Sequence, residues 1–252
     1  MRDALCLAFG TLTAWRVPPP HTVDHRTAGT AMLLAPLTQL PLLVLLGVGA
    51  AGWLAAGGPL LVLAVLLVGA TVLSTRGMHI DGLADTADGL SASYDPQRAL
   101  TVMKSPDVGP SGVAAVVLAL ALQIAALSTL PTTGALALAA VALLLSRQVL
   151  AIACHRSVPP ISGSGLGQAV AGTVSSPLAV ASGVLMLAVA LLPALLGQPW
   201  WAGLAVVLVG WVAAAVTLRH AVRRLGGING DVLGATIEIT FAAGLATAAL
   251  VA

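Results

Sequence analysis

The chain has 252 residues, 58% of them hydrophobic and only 8% charged, with a formal net charge of +2. Soluble domains carry about 25% charged residues, so the composition excludes a water-covered globule and implies an all-α, polytopic membrane helix bundle, read as one domain over residues 1–252. Segments of about ten residues alternating polar and apolar, the mark of a transmembrane β-barrel, are absent, and so small a net charge without any basic run excludes a nucleic-acid partner.

At the N-terminus Leu5, Phe9, Leu12 and Trp15 recur at helical spacing behind Arg2 and Asp3. No small-residue cleavage site follows, so the stretch reads as a short interfacial helix and not a signal peptide. The arm beyond it, with Pro18 to Pro20, His21, Asp24, His25 and Arg26, either covers a site or lies on the lipid surface. Cys6 and Cys154 have no metal-ligand spacing and read as small apolar fillers.

Seven apolar runs follow that are long enough to cross a bilayer as helices: roughly 33–51, 59–75, 112–130, 134–153, 178–197, 200–219 and 233–251. Gly/Pro-containing breaks at 55–59, 131–134 and 197–199 join neighbours as antiparallel hairpins, and Pro193 is expected to kink the fifth run. The breaks hold no Asp, Glu, Lys or Arg; every charge lies in the N-terminal arm, in 76–107, in 147–156 or in 219–238. With seven spans those four segments share one side. Their arginines place that side in the cytoplasm of a cell (inner) membrane protein by the positive-inside rule, leaving the C-terminus outside. A six-span version, with the last segment re-entrant, would move only the C-terminus. The sequence leaves a homo-oligomer open.

The chemistry gathers where the second run ends. Asp81, Asp85 and Asp88 put three carboxylates into eight residues. On a helix these positions are i, i+4 and i+7 and share one face. Like charges so placed repel unless a cation sits among them, and hard carboxylate oxygens beside a membrane suit Mg²⁺ arriving with a substrate phosphate. The plain alternative is a solvated acidic loop. His79 precedes this face; no second histidine at ligand spacing supports zinc, so hydrogen bonding or acid–base help is the expected role.

Three further polar sites stand out. Lys104, the only lysine, sits in a Gly/Pro-rich loop with Asp107, Gly109 and Gly112, where it meets a phosphate or simply solvent. Arg147, beside Ser146 within the fourth run, either snorkels to the interface or contacts a phosphate. Near the C-terminus Asp231 and Glu238 are i and i+7 after a glycine-rich turn, and Glu238 falls inside the apolar region, where an ionisable group is costly and points to function. The glycines of Ser162 to Gly167 are a weak phosphate-loop signal.

Together, His79-Ile-Asp81-Gly-Leu-Ala-Asp85-Thr-Ala-Asp88-Gly-Leu90, Met103-Lys104 with Gly109 and Gly112, Ser146-Arg147, Gly165-Leu-Gly167 and Leu225-Gly-Gly-Ile-Asn-Gly-Asp231 running to Glu238 resemble the cobalamin synthase family, the adenosylcobinamide-GDP ribazoletransferases, over essentially the whole chain. The resemblance implies a phosphotransferase. The cobinamide-phosphate moiety of adenosylcobinamide-GDP passes to α-ribazole or its 5′-phosphate, GMP leaves, and adenosylcobalamin or its 5′-phosphate forms. On that view Asp81, Asp85 and Asp88 hold Mg²⁺, one of these carboxylates, Asp88 among them, or His79 takes the nucleophile's proton, and Lys104, Arg147, Asp231 and Glu238 bind substrate. Two departures, Ser105-Pro106 where the family often has an Asp and Phe241 where it often has a second Glu, weaken a role for the 104–107 loop and for a second carboxylate on the last helix and leave the three aspartates intact. The rivals are another Mg²⁺-dependent membrane phosphotransferase or prenyltransferase with an Asp-rich site, and a cation transporter. A D-G-x-x-A-R signature fails at Asp85 and Thr86, and transport predicts acids spread over several spans.

Overall fold

In a bilayer, an apolar run can satisfy its backbone only by coiling into a helix or closing a barrel, and this chain takes the first course. The computed structural model describes residues 1–252 and contains twelve α-helices and no strand, only the isolated parallel bridges His155–Val174 and Pro160–Ile228. In chain order the helices are α1 (Arg2–Leu12), α2 (His25–Leu33), α3 (Leu40–Ala55), α4 (Leu60–Ser74), α5 (Met78–Ala92), α6 (Pro96–Met103), α7 (Pro110–Leu127), α8 (Thr133–Ala153), α9 (Gly165–Val170), α10 (Ser176–Ala190), α11 (Ala202–Leu225) and α12 (Gly230–Val251).

All seven apolar runs are helical. Six segments are long and apolar enough to cross a membrane, or seven if the bent pair α4–α5 counts as one span. The last run, α12, is a continuous helix of 22 residues within this set. A 3-10 turn at Ala35–Gln39 leads into α3, and Pro193 ends α10 in a second 3-10 turn, Leu192–Leu196, in place of a mid-helix kink. Pro193 has no N–H for the helical ladder, which is why the α-helix stops before it.

The bundle is built around α8 and α12, buried over 72% and 78% of their apolar windows, whereas α3 and α10 are buried over only 22% and 17%. The outer helices therefore turn Val44, Leu45, Val48, Val180, Val184 and Leu185 outward, the surface expected to meet lipid. One end of the bundle is charge-free and carries Trp53, Trp200 and Trp201, as aromatic belts do. At the other end lie α1, α2, α5, α6, α9 and the termini of α8, α11 and α12.

Three short helices at that end were not legible in the sequence. Asp24 caps α2 by accepting from the Thr27 N–H at 2.7 Å, and Asp95 caps α6 by accepting from Gln97 N–H at 3.3 Å; in a polar linker such caps are the main helix-start signal. The glycine run 162–167, a weak phosphate-loop signal in the sequence, leads into α9. The strand-like bridge beside it is closed by Ile161 N–H donating to Ile228 O and Ile228 N–H donating to Pro159 O, each at 2.9 Å.

Candidate active site at the charged end of the bundle

Between α4 and α5 the chain turns by 86°. Arg76 and Gly77 make the turn with φ of 58° and 74°, Arg76 being the only non-glycine residue with positive φ. Its guanidinium donates to the Gly10 carbonyl of α1 at 3.4 Å. The apolar part of the run ends with α4, so α5 lies outside the spanning segments and across the end of the bundle.

There α5 crosses the first turns of α12. A Cβ on Gly82 would lie 2.8 Å from the Asp231 carbonyl oxygen and 2.9 Å from its Cα, and a Cβ on Gly234 would lie 3.2 Å from the His79 Cα. The two glycines let the backbones touch, and that contact brings Asp231 beside the carboxylates of α5. Asn229 holds the end of α12: its Oδ1 accepts from Val232 N–H at 2.9 Å and its Nδ2 donates to Asp231 Oδ2 at 2.7 Å.

The three aspartates of α5 form a gradient and not a uniform face. Asp81 is exposed, Asp85 intermediate and Asp88 buried. Burial first, then the charges of Asp81, Asp231 and Asp88, push the Asp85 carboxyl up to about 6. No three His, Cys, Asp or Glu side chains converge tightly enough to enclose one ion.

Asp88 has a different task from the one its spacing suggests. Its Oδ2 accepts from Gly109 N–H at 2.6 Å and its Oδ1 from Gly112 N–H at 2.8 Å. Gly109 is the N-cap of α7, so the carboxylate satisfies helix-end donors and meets the positive end of the helix dipole. The residues at 109 and 112 must be glycine because a Cβ at either would collide with the carboxylate. Asp88, expected as a metal ligand or base, thus has each of its oxygens accepting from the 104–112 loop.

Arg147 and Glu238, expected to bind substrate, lie deeper. Arg147 is 2% exposed and Glu238 6%. Neither borders the cavities beside Asp81. Arg147 Nη1 donates to Ser146 Oγ at 2.7 Å and Nη2 to His79 Nδ1 at 3.3 Å, while Glu238 Oε2 accepts from Gln123 Nε2 at 2.9 Å. These side chains form buried polar contacts beneath the acidic surface. A guanidinium can only donate, so His79 Nδ1 is the acceptor and the neutral ring carries its proton on Nε2. Burial, then the Arg147 charge, holds the imidazole well below its usual range. A ring in that state donates from Nε2. Gln123 was missed in the sequence, although a lone amide in the apolar run of α7 was a usable signal.

Lys104 is exposed at the end of α6, in the loop that Asp88 anchors. Asp231 remains with Asp81 and Asp85, and these three form the acidic centre.

Two cavities flank this centre. The more closed one, of about 230 Å³, lies between Leu12 of α1, Met32 of α2, Leu166, His79, Asp81 and Asp231. Leu12 and Met32 wall it, whereas the arm from Pro18 to Arg26 is largely exposed and does not line it. An open groove of about 710 Å³ lies on the other side, between Arg76, Ile80, Asp81, Val108, Val113 and Val117.

The profile of the cobalamin-5-phosphate synthase family matches residues 4–249. The chain is 46% identical over 245 residues to an adenosylcobinamide-GDP ribazoletransferase of a Nocardioides species, covering 97% of each. A protein of the same name from Frankia casuarinae is 41% identical over 96% of this chain and 93% of its own length, and one from Syntrophobacter fumaroxidans 33% identical over 92% and 93%. No solved structure matches the chain. With the match running from α1 to the end of α12, the chain belongs to the cobalamin-5-phosphate synthase family.

Proposed function

We infer that the protein is an adenosylcobinamide-GDP ribazoletransferase of cobalamin synthesis. The observation that carries this is the full-length similarity to relatives of that name, 46% identical over 97% of both chains, in a protein whose exposed acids gather at one end of a membrane bundle. In the reaction an oxygen of a ribose hydroxyl of ribazole, or of its 5′-phosphate, bonds to the phosphorus that bears cobinamide. The bond from that phosphorus to the bridging oxygen breaks, GMP leaves with the bridging oxygen, and the hydroxyl proton is released.

The residues present fit Mg²⁺. It is usually held by one or two carboxylates together with substrate phosphates and water, not by a closed protein cage, and the centre offers two carboxylates on α5 and one on α12 without enclosing an ion. Asp81 and Asp85 are the residues that would hold it. When bound, Mg²⁺ neutralises charge on the diphosphate and the leaving group. Asp231 takes the hydroxyl proton: Asn229 occupies one of its oxygens and leaves the other free. His79 donates from Nε2. The arginine-rich end is cytoplasmic, the active site facing the soluble substrates.

The test is a membrane preparation containing the protein, incubated with adenosylcobinamide-GDP, ribazole and Mg²⁺, with products followed by chromatography. Cobalamin and GMP are expected; no cobalamin above a vector control would sink the assignment. A reporter fused after Ala252 should behave as external, and a cytoplasmic signal would contradict the orientation.

A further inference from the structure

The closed cavity and the open groove share two residues, Met78 and Asp81. We propose that they divide the substrates between them: the closed cavity takes the benzimidazole nucleoside acceptor, the open groove takes the corrinoid donor, and the two meet across Asp81. This rests on the transferase reading above and deepens it.

Size separates the two ligands first. The closed cavity, at about 230 Å³, is smaller than pockets for drug-sized ligands, about 300–1,000 Å³. It suits one flat bicyclic ring, and a corrin macrocycle with its amide arms cannot enter. The groove is about 710 Å³ and open along one side, so a macrocycle can lie in it with its arms in solvent.

The linings point the same way. In the closed cavity Leu12, Met32, Leu150, Leu233 and Ile237 supply apolar wall, and methionine sulfur makes favourable contacts with aromatic rings. Its polar end is His79, Asp81 and Asp231. His79 is 2% exposed and its Nε2 has no partner. A buried donor left unpaired is costly, and a ribose oxygen brought within reach would satisfy it. Asp231 stands beside it to accept from a ribose hydroxyl. The opposite side of Asp81 has another character. Val108, Val113 and Val117 are each more than half exposed, an apolar shelf for a macrocycle face, and Arg76 at the rim is the one cation placed to meet a donor phosphate.

The test fills each cavity in turn in the full-length, detergent-solubilised enzyme. Leu166→Trp enters the closed cavity from α9 and Thr11→Trp from α1, both at partly exposed positions; Val117→Trp fills the groove from an exposed one. With each substrate varied in turn, Leu166→Trp and Thr11→Trp should raise the ribazole KM by about tenfold or more and leave the adenosylcobinamide-GDP KM within about twofold. Val117→Trp should do the reverse. Equilibrium dialysis of ribazole without donor gives a readout independent of turnover: the wild type and Val117→Trp should bind it, and the two closed-cavity variants should not. The opposite KM pattern, equal effects on both substrates, or ribazole binding unchanged by Leu166→Trp and Thr11→Trp would each overturn the division. A wild-type enzyme that makes cobalamin while the variants give such a pattern refutes the division alone; a wild type that makes none refutes the transferase reading itself.

Discussion

Gly82 of α5 and Asp231 of α12 touch backbone to backbone, so closely that a Cβ on Gly82 would sit 2.8 Å from the Asp231 carbonyl oxygen. The acidic centre is assembled by this crossing and not by α5 alone. Gly82→Val should force the helices apart, lower kcat/KM sharply and cost about 1–3 kcal/mol through overpacking. Steady-state kinetics and thermal unfolding in detergent check both effects, and wild-type values in each would contradict the role of the crossing.

Asp88 and Asp81 should separate cleanly on mutation. Asp88→Asn places an amide against one of two N–H donors and leaves a helix-end group unpaired, a loss of about 1–3 kcal/mol borne by the loop before α7. Limited trypsin digestion should then cut faster after Lys104. Asp81→Asn should abolish turnover while leaving that cleavage and membrane insertion unchanged. Equal cleavage in both variants would contradict the anchoring role.

Arg147 is predicted to act through the fold. Arg147→Met removes a buried cation from His79 and Ser146, and breaking a buried charged cluster costs roughly 3–5 kcal/mol. The melting temperature should fall markedly. An arginine that bound substrate phosphate would instead give a raised KM at unchanged stability, and that pair of measurements decides between the two roles.

The elevated Asp85 carboxyl predicts a pH dependence with a definite sign. Its folded value is raised from 3.8 to about 6, so without metal its contribution to stability is largest in acid and is lost as pH rises through that window. A proton and Mg²⁺ compete for the same oxygens. Mg²⁺ affinity should therefore weaken as pH falls through about 6, measured by calorimetric titration of the solubilised protein, and Asp85→Asn should remove most of that dependence. Affinity flat across the window would contradict Asp85 as a ligand.

Local patterns were readable and long-range contacts were not. The apolar runs, their charge-free hairpins and the single helix carrying Asp81, Asp85 and Asp88 follow from length, composition and a period of 3.6 residues. Spacing also put Asp88 on the same face, but it could not show that the N–H groups of Gly109 and Gly112 would claim it. Arg147 looked available because sequence gives depth along a span and not which side faces the centre of the bundle. The 86° turn at Arg76 and Gly77 left only a faint mark, one Arg-Gly pair at the end of an apolar run. The wall of the closed cavity joins Met32 near the N-terminus with residues some two hundred positions away, which no local pattern encodes.

The most direct measurement counts products. In single-turnover reactions of purified protein with adenosylcobinamide-GDP, ribazole and Mg²⁺, cobalamin and GMP should appear in equal amounts and at the same rate. Neither should appear with Asp81→Asn. GMP released without matching cobalamin, or full turnover by Asp81→Asn, would contradict a phosphoryl transfer centred on the acidic crossing of α5 and α12.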